Sequence, residues 1–158
     1  MSGAPDVIHG TAIALDGRAA LICGPSGSGK SDLALRCLTQ APNPLIKGEV
    51  RLVADDYTAV AVKDGAVYLS APKTIRDKLE VRGVGIVNIP AIDEARLVLI
   101  AELVGADQIE RLPDPIPQRN IAGVTVPVLQ LAAFEASTPS KLLLALSRLS
   151  KEKGGSHG

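Results

Sequence analysis

The chain has 158 residues, 46% hydrophobic but only 2% aromatic, and its 17 Lys and Arg balance 17 Asp and Glu. That length suits one domain, and a zero formal charge with three aromatic side chains (Tyr57, Tyr68, Phe134) excludes a basic nucleic-acid surface and a base-stacking platform for single strands. Two cysteines, Cys23 and Cys37, with His9 and His157 are too few for a four-ligand zinc site or a disulfide framework, and no apolar run reaches the roughly 18 to 20 residues that span a bilayer. Both thiols are expected to be buried and inert.

An aliphatic composition of this kind suits a parallel sheet covered by helices. In chain order, residues 7–23 predict two short strands, HGTAIAL and RAALIC, joined by Asp16-Gly17, a dipeptide suited to a tight hairpin turn. A glycine-rich turn, 24–29, leads into a helix from Lys30 to Gln40, with Leu33 and Cys37, and Ala34 and Leu38, one turn apart and Pro42 and Pro44 ending it. VRLVADD (50–56) predicts a strand ending in two carboxylates, and 59–70 two alternating strands around Asp64-Gly65. Residues 72–90 carry mixed charge around glycines, RLVLIAEL (96–103) predicts a buried strand, and PDPIPQRN (113–120) a proline-rich surface loop. GVTVPVLQL (123–131) predicts a last strand, with Pro127 marking an edge or a bulge. Thr138 and Pro139 suit the N-cap and N1 of a closing helix with Leu142, Leu143, Leu146 and Leu149 on its apolar face, and the tail 151–158 is expected to be disordered. The expected organisation is a single domain over 1–158, ordered from about 5 to 150.

Gly24, Pro25, Ser26, Gly27, Ser28, Gly29, Lys30 and Ser31 satisfy G-x-x-x-x-G-K-[ST], between an apolar strand and a helix as that motif requires. The glycines let successive amides turn inward around a phosphate, and the helix dipole adds its positive end. Lys30 then supplies a mobile charge for the β and γ phosphates of ATP, and the Ser31 hydroxyl a ligand for Mg²⁺. A magnesium nucleotide site also needs a strand-end carboxylate, and Asp55 and Asp56 offer two. Adjacent strand residues face opposite sides, so one addresses phosphate and metal while the other stabilises a turn or approaches from the strand end, unless a bulge turns both inward. His9 lies on the strand before the loop strand.

Read with the phosphate loop, three further segments make the chain resemble the catalytic domain of HPr kinase/phosphorylase. Residues 8–35 resemble its entry strands and phosphate loop, LVADD at 52–56 its acidic strand end, and Leu79-Glu80-Val81-Arg82-Gly83-Val84-Gly85-Ile86 its signature L-E-x-R-G-x-G-I. Residues 117–134, around Arg119, are similar to its late active-site loop and the strand after it. Asp32 stands where the family commonly has Glu, and His9 already matches the catalytic domain, so a short form without the family's long N-terminal domain is expected.

The resemblance implies an α/β fold, a P-loop nucleotide-binding core of the HPr kinase and phosphoenolpyruvate carboxykinase type, with a mixed sheet and flanking helices. It implies Asp55 as general base with Asp56 beside it, His9 orienting that base, and Glu80 and Arg82 organising metal and phosphate, with Ser31 and Glu80 on the Mg²⁺. Arg119 would serve the phosphorylase direction, in which inorganic phosphate attacks phosphoserine and pyrophosphate forms. The implied partner is the phosphocarrier protein HPr, with regulation of carbohydrate metabolism as the role and a homo-oligomer, a hexamer by resemblance, as the assembly. Neither nucleic acid nor membrane is expected as a partner. The start of the chain lacks a basic stretch followed by an apolar one, so the cytoplasm is the expected compartment. The competing readings are a kinase for a small metabolite and a non-catalytic ATP-sensing module.

Overall fold

The computed structural model describes residues 6–40 and 42–155. The chain runs β1 (Asp6–His9), β2 (Thr11–Leu15), β3 (Arg18–Cys23), α1 (Lys30–Leu38), β4 (Val50–Ala54), β5 (Tyr57–Lys63), β6 (Ala66–Ser70), β7 (Lys78–Val81) and β8 (Gly85–Asn88). It continues through β9 (Ala95–Leu103), β10 (Gln118–Ile121), β11 (Val124–Leu131) and α2 (Thr138–Gly155). Nine strands form one mixed sheet in the order β1-β5-β6-β9-β3-β2-β4, with β11 also on β9 and β10 on β11, while β7 and β8 form a separate hairpin.

Only β3 with β9 and β9 with β11 pair in parallel, so the sheet is mostly antiparallel rather than the helix-covered parallel sheet the composition suggested. The aliphatic composition has a different cause. β1 and β2 are one ribbon bent at Gly10, β4 and β5 another bent at Asp55-Asp56, and the two ribbons pair through both halves, β1 with β5 and β2 with β4. Since the halves lie at opposite ends of the strand order, the sheet curls round until its own inner face is a core. Alternation then sends Ile13, Leu15, Ala20 and Ile22 to the helix side and Ala12, Ala14, Ala19 and Leu21 to the inside of the curl. Both faces of the central strands are buried without a second helical layer.

Both helices pack on the outer face, where Leu33, Ala34 and Cys37 of α1 meet Leu142, Leu143 and Leu146 of α2. Helix α2 begins where Lys141 N–H bonds the Ser137 carbonyl, one residue before the expected cap, and the Thr138 hydroxyl donates instead to the Ala132 carbonyl at 2.5 Å. It continues to Gly155, five residues into the segment expected to be disordered; 156–158 lie outside the described residues. No described helix is long and apolar enough to cross a membrane.

Asp16-Gly17 and Asp64-Gly65 both turn hairpins with positive φ (51° and 80°; 51° and 76°), as two-residue turns that match strand twist require. Two further hairpins were not expected. Gln118–Ile121, read as a loop, pairs with β11, and 78–88, read as charged and glycine-rich, forms β7–β8. Both present few buried side chains, Ile121 alone in β10 and Leu79 alone in β7–β8, so neither carries an alternating apolar signal. Pro127 sits where β11 leaves β10 and joins β9.

Candidate active site at the glycine-rich loop

β3 delivers the chain into the loop at Gly24 and α1 carries it away at Lys30. Gly27 (φ 80°) and Gly29 (φ 101°) hold left-handed conformations that cost a residue with a Cβ about 1–2 kcal/mol. Ser28 N–H closes the loop on the Pro25 carbonyl at 3.0 Å. Gly29 caps α1 without any side-chain hydrogen bond, so the first-turn amides, which have no partner inside a helix, face the loop together with the positive end of the dipole. The ammonium of Lys30 is buried and folds back onto the carbonyls of Gly24 (2.9 Å) and Pro25 (3.0 Å). Ser28 Oγ is buried with no hydrogen-bond partner. Uncapped amides and a buried ammonium held by carbonyls are groups that can hold an anion.

The bend between β4 and β5 meets the loop from the side. Tyr57 N–H bonds the Asp55 carbonyl at 2.7 Å across Asp56, whose φ is 66°, so the chain makes a γ-turn there. This turn gives the two carboxylates opposite fates. Asp55 is buried, and its Oδ1 accepts from Ser31 Oγ (2.5 Å) and Thr11 Oγ1 (3.1 Å) while Oδ2 accepts from Glu80 N–H (2.9 Å). Asp56 is half exposed and lies 2.9 Å from His9 Nε2, with the imidazole tilted over Tyr57 at 5.4 Å between ring centroids. Thr11 ties the pair, since its hydroxyl also accepts from Asp56 N–H at 3.0 Å.

Beside these groups lies a cleft of about 480 Å³. The loop and α1 line it with Gly27, Gly29, Lys30, Ser31, Asp32 and Leu35, and Asp56, the Glu80-Val81-Arg82 hairpin end and Phe134 close it. The hairpin is held there by Leu79, fully buried against the helix-side core, and by the Glu80 amide on Asp55.

The model of the HPr Serine kinase C-terminal domain family matches residues 3–153. The chain belongs to that family. It is 31% identical over 131 residues to the HPr kinase/phosphorylase of Limosilactobacillus reuteri (strain DSM 20016), covering 76% of this chain and 38% of that one. To the HPr kinase/phosphorylase of Azoarcus sp. (strain BH72) it is 33% identical over 157 residues, covering 89% of this chain and 46% of that one. It thus spans less than half the length of these relatives. A solved structure of the Hpr(Ser) kinase/phosphatase from Coxiella burnetii superimposes with a TM-score of 0.77 over 96% of this chain and 94% of that one at 20% identity, which establishes the shared mixed α/β fold with its curled sheet.

Most of the expected site residues converge: Lys30, Ser31, Asp56, Glu80 and Arg82 on the cleft and Asp55 directly behind Ser31. Two placements differ from the expectation. His9 bonds Asp56 rather than Asp55, because the γ-turn swings Asp56 out toward β1 and leaves Asp55 pointing in. Arg119 does not line the cleft; it bonds Glu102 Oε2 at 2.7 Å, and Gln130 holds the other oxygen at 3.3 Å. Glu102 pairs in register with Cys23 and Gln130, so this group sits one residue before the loop, on the strand beside it.

Among the described residues no three His, Cys, Asp or Glu side chains cluster as a ready-made metal centre. Ser31 Oγ, the Asp55 carboxylate against it and the cleft-lining Glu80 are nevertheless hard oxygen donors, few in number, which fits a cation that completes its shell with phosphate oxygens and water. Sequence reasoning missed Thr11, Glu102 and Gln130. Thr11 left one signal, a buried hydroxyl in an apolar strand; the other two gain their role only from strand pairing. Cys37 is buried, and burial pushes its thiol up to about 12, Arg36 opposing weakly. Cys23 is only half-buried; burial raises its thiol too, against the opposing pull of Arg119.

Proposed function

We propose that this domain is an ATP- and Mg²⁺-dependent phosphotransferase that phosphorylates a serine of an HPr-like phosphocarrier protein and reverses the reaction with inorganic phosphate. The observation that carries this reading is the division of labour between Asp55 and Asp56 beside an anion-binding loop. Asp55 has each oxygen engaged and fixes the Ser31 hydroxyl, so it shapes the metal end of the site. Asp56 keeps an open carboxylate on the cleft with His9 behind it, and is the one placed to take a proton from an arriving hydroxyl. On this reading Asp56 is the base, in place of the Asp55 that the resemblance implied.

In the kinase direction the serine oxygen attacks the γ phosphorus, Asp56 accepts the serine proton and ADP leaves. Lys30 turns from the Gly24 and Pro25 carbonyls to the transferred phosphoryl oxygens, and the loop amides hold the β phosphate. Ser31 and Glu80 would hold Mg²⁺, which when bound neutralises charge on the β and γ oxygens. In the reverse direction inorganic phosphate occupies the loop and attacks the phosphoserine phosphorus, Asp56 returns its proton to the departing serine oxygen, and pyrophosphate forms. The loop, the acidic bend and the glycine-bounded Glu80-Arg82 hairpin end support this reading together with the family.

Incubation with γ-labelled ATP, Mg²⁺ and the HPr-like protein of the same cell is expected to label one serine, and added phosphate to remove the label as pyrophosphate. Binding of nucleotide without transfer at saturating protein substrate overturns it. Turnover with a hydroxylated metabolite instead would assign the cleft to a metabolite kinase, and binding without any turnover to an ATP sensor.

A further inference from the structure

Phe134 occupies a position that packing alone does not explain. It is one of three aromatic residues in the chain, yet 72% of it is exposed, which forgoes the stabilisation that burying such a side chain brings. It is not loose. The segment that bears it is clamped from both sides: the Arg36 guanidinium donates to the carbonyls of Ala133 and Glu135, and the Thr138 hydroxyl to that of Ala132. Lys141 holds the Glu135 carboxylate at 3.3 Å. The ring lies against Gly29, the last residue of the loop, where a Cβ would come within 2.9 Å of Phe134 Cζ. The φ of 101° favours glycine there, and a Cβ would also press on the ring.

The cleft itself is polar along the loop and the acidic bend, and its apolar side chains are Leu35, Val81 and Phe134. We propose that Phe134 is the platform for the nucleobase of the bound nucleotide, its ring stacking on the base, with Leu35 and Val81 as the other apolar side chains of the cleft. This rests on the nucleotide reading above and goes beyond it by naming the group that distinguishes a nucleotide from a bare polyphosphate. The backbone that carries the ring is anchored at the rim of the loop, so its exposed face is positioned for a base to stack on it.

The test compares Mg-ATP with inorganic tripolyphosphate, which offers the same phosphates and no base, by calorimetric titration of the full chain and of Phe134→Ala and Phe134→Trp. The expected result is a tenfold or greater loss of ATP affinity in Phe134→Ala with tripolyphosphate affinity within twofold of the parent, which also shows that the variant is folded. Since the chain has no tryptophan, Phe134→Trp supplies a single emitter at the site, and its fluorescence is expected to be quenched by ATP and not by tripolyphosphate. Equal losses for both ligands in Phe134→Ala, no loss for either, or equal quenching by both overturn the base platform. A parent chain that binds tripolyphosphate as tightly as ATP overturns it too while the phosphate loop stands. Binding of neither overturns the nucleotide reading, and the platform with it.

Discussion

Asp55 and Asp56 are neighbours in sequence with opposite tasks, and substitution should separate them. Asp56→Asn keeps size and the contact with His9 but removes the proton acceptor, so phosphoryl transfer is expected to fall by roughly 10²–10⁴-fold with ATP affinity nearly unchanged, read by steady-state kinetics beside calorimetry. Asp55→Asn leaves one acceptor oxygen where three donors converge, so either Glu80 N–H loses its partner or the Ser31 and Thr11 hydroxyls must turn to accept, and the charge beside Ser31 is gone; metal-dependent nucleotide binding is expected to fail together with turnover. Cys37 gives a pH signature of a different kind. Its thiol is raised to about 12 in the folded chain, so the folded state holds that proton more tightly than the unfolded chain. The contribution to stability is full below the ordinary thiol range and is lost as pH rises through it toward 12. Denaturation at pH 8 and pH 11 is expected to show a smaller loss of stability in Cys37→Ala than in the parent. At this scale the loop residues and both aspartates were legible as chemistry, because motif spacing carries them. Which aspartate faces the cleft was not, since strand alternation alone leaves that open and a γ-turn decides it.

At the scale of elements, turns were legible where the dipeptide states its own backbone preference. Asp-Gly twice announced a hairpin, whereas the third, Ala122-Gly123, places alanine at φ 51° and gave no such signal. Ala122→Asn, a residue that tolerates this region, is expected to stabilise the domain by roughly 0.5–1 kcal/mol, raising Tm by a few degrees in a thermal melt. Thr11 joins two bent ribbons through hydroxyl bonds to Asp55 and to the Asp56 amide. Thr11→Val conserves shape but strands an amide and weakens a buried carboxylate, at an expected cost of about 1–3 kcal/mol in chemical denaturation, with a loss of turnover from a misplaced bend. Glu102 connects β9, β10 and β11 by holding Arg119 while Gln130 holds Glu102. If Arg119 serves the phosphorylase direction, Glu102→Gln, which loosens it, is expected to change the ratio of reverse to forward rate while nucleotide affinity stays constant.

Across the whole molecule, the curl of the sheet replaces a second helical layer, and the fold rests on two cores that share the central strands. What the sequence alone determined is what depends on near neighbours: the strand-loop-helix around Gly24–Ser31, the two Asp-Gly hairpins, the apolar strands at the centre and the leucine face of the last helix, together with a resemblance that led to the right family. These are set by backbone preferences and by periods of two and of three to four residues. The mostly antiparallel order, the β7–β8 hairpin and strand β10 with one buried side chain each, the pairing of His9 with Asp56 and the placement of Arg119 on Glu102 were decided only by the tertiary structure. The last two join residues 47 and 17 positions apart, whose meeting depends on strand register and, for His9, on the bends at Gly10 and at Asp55-Asp56. No local pattern encodes those distances, because burial and hydrogen bonding across the closed sheet select them only once the ribbons have paired.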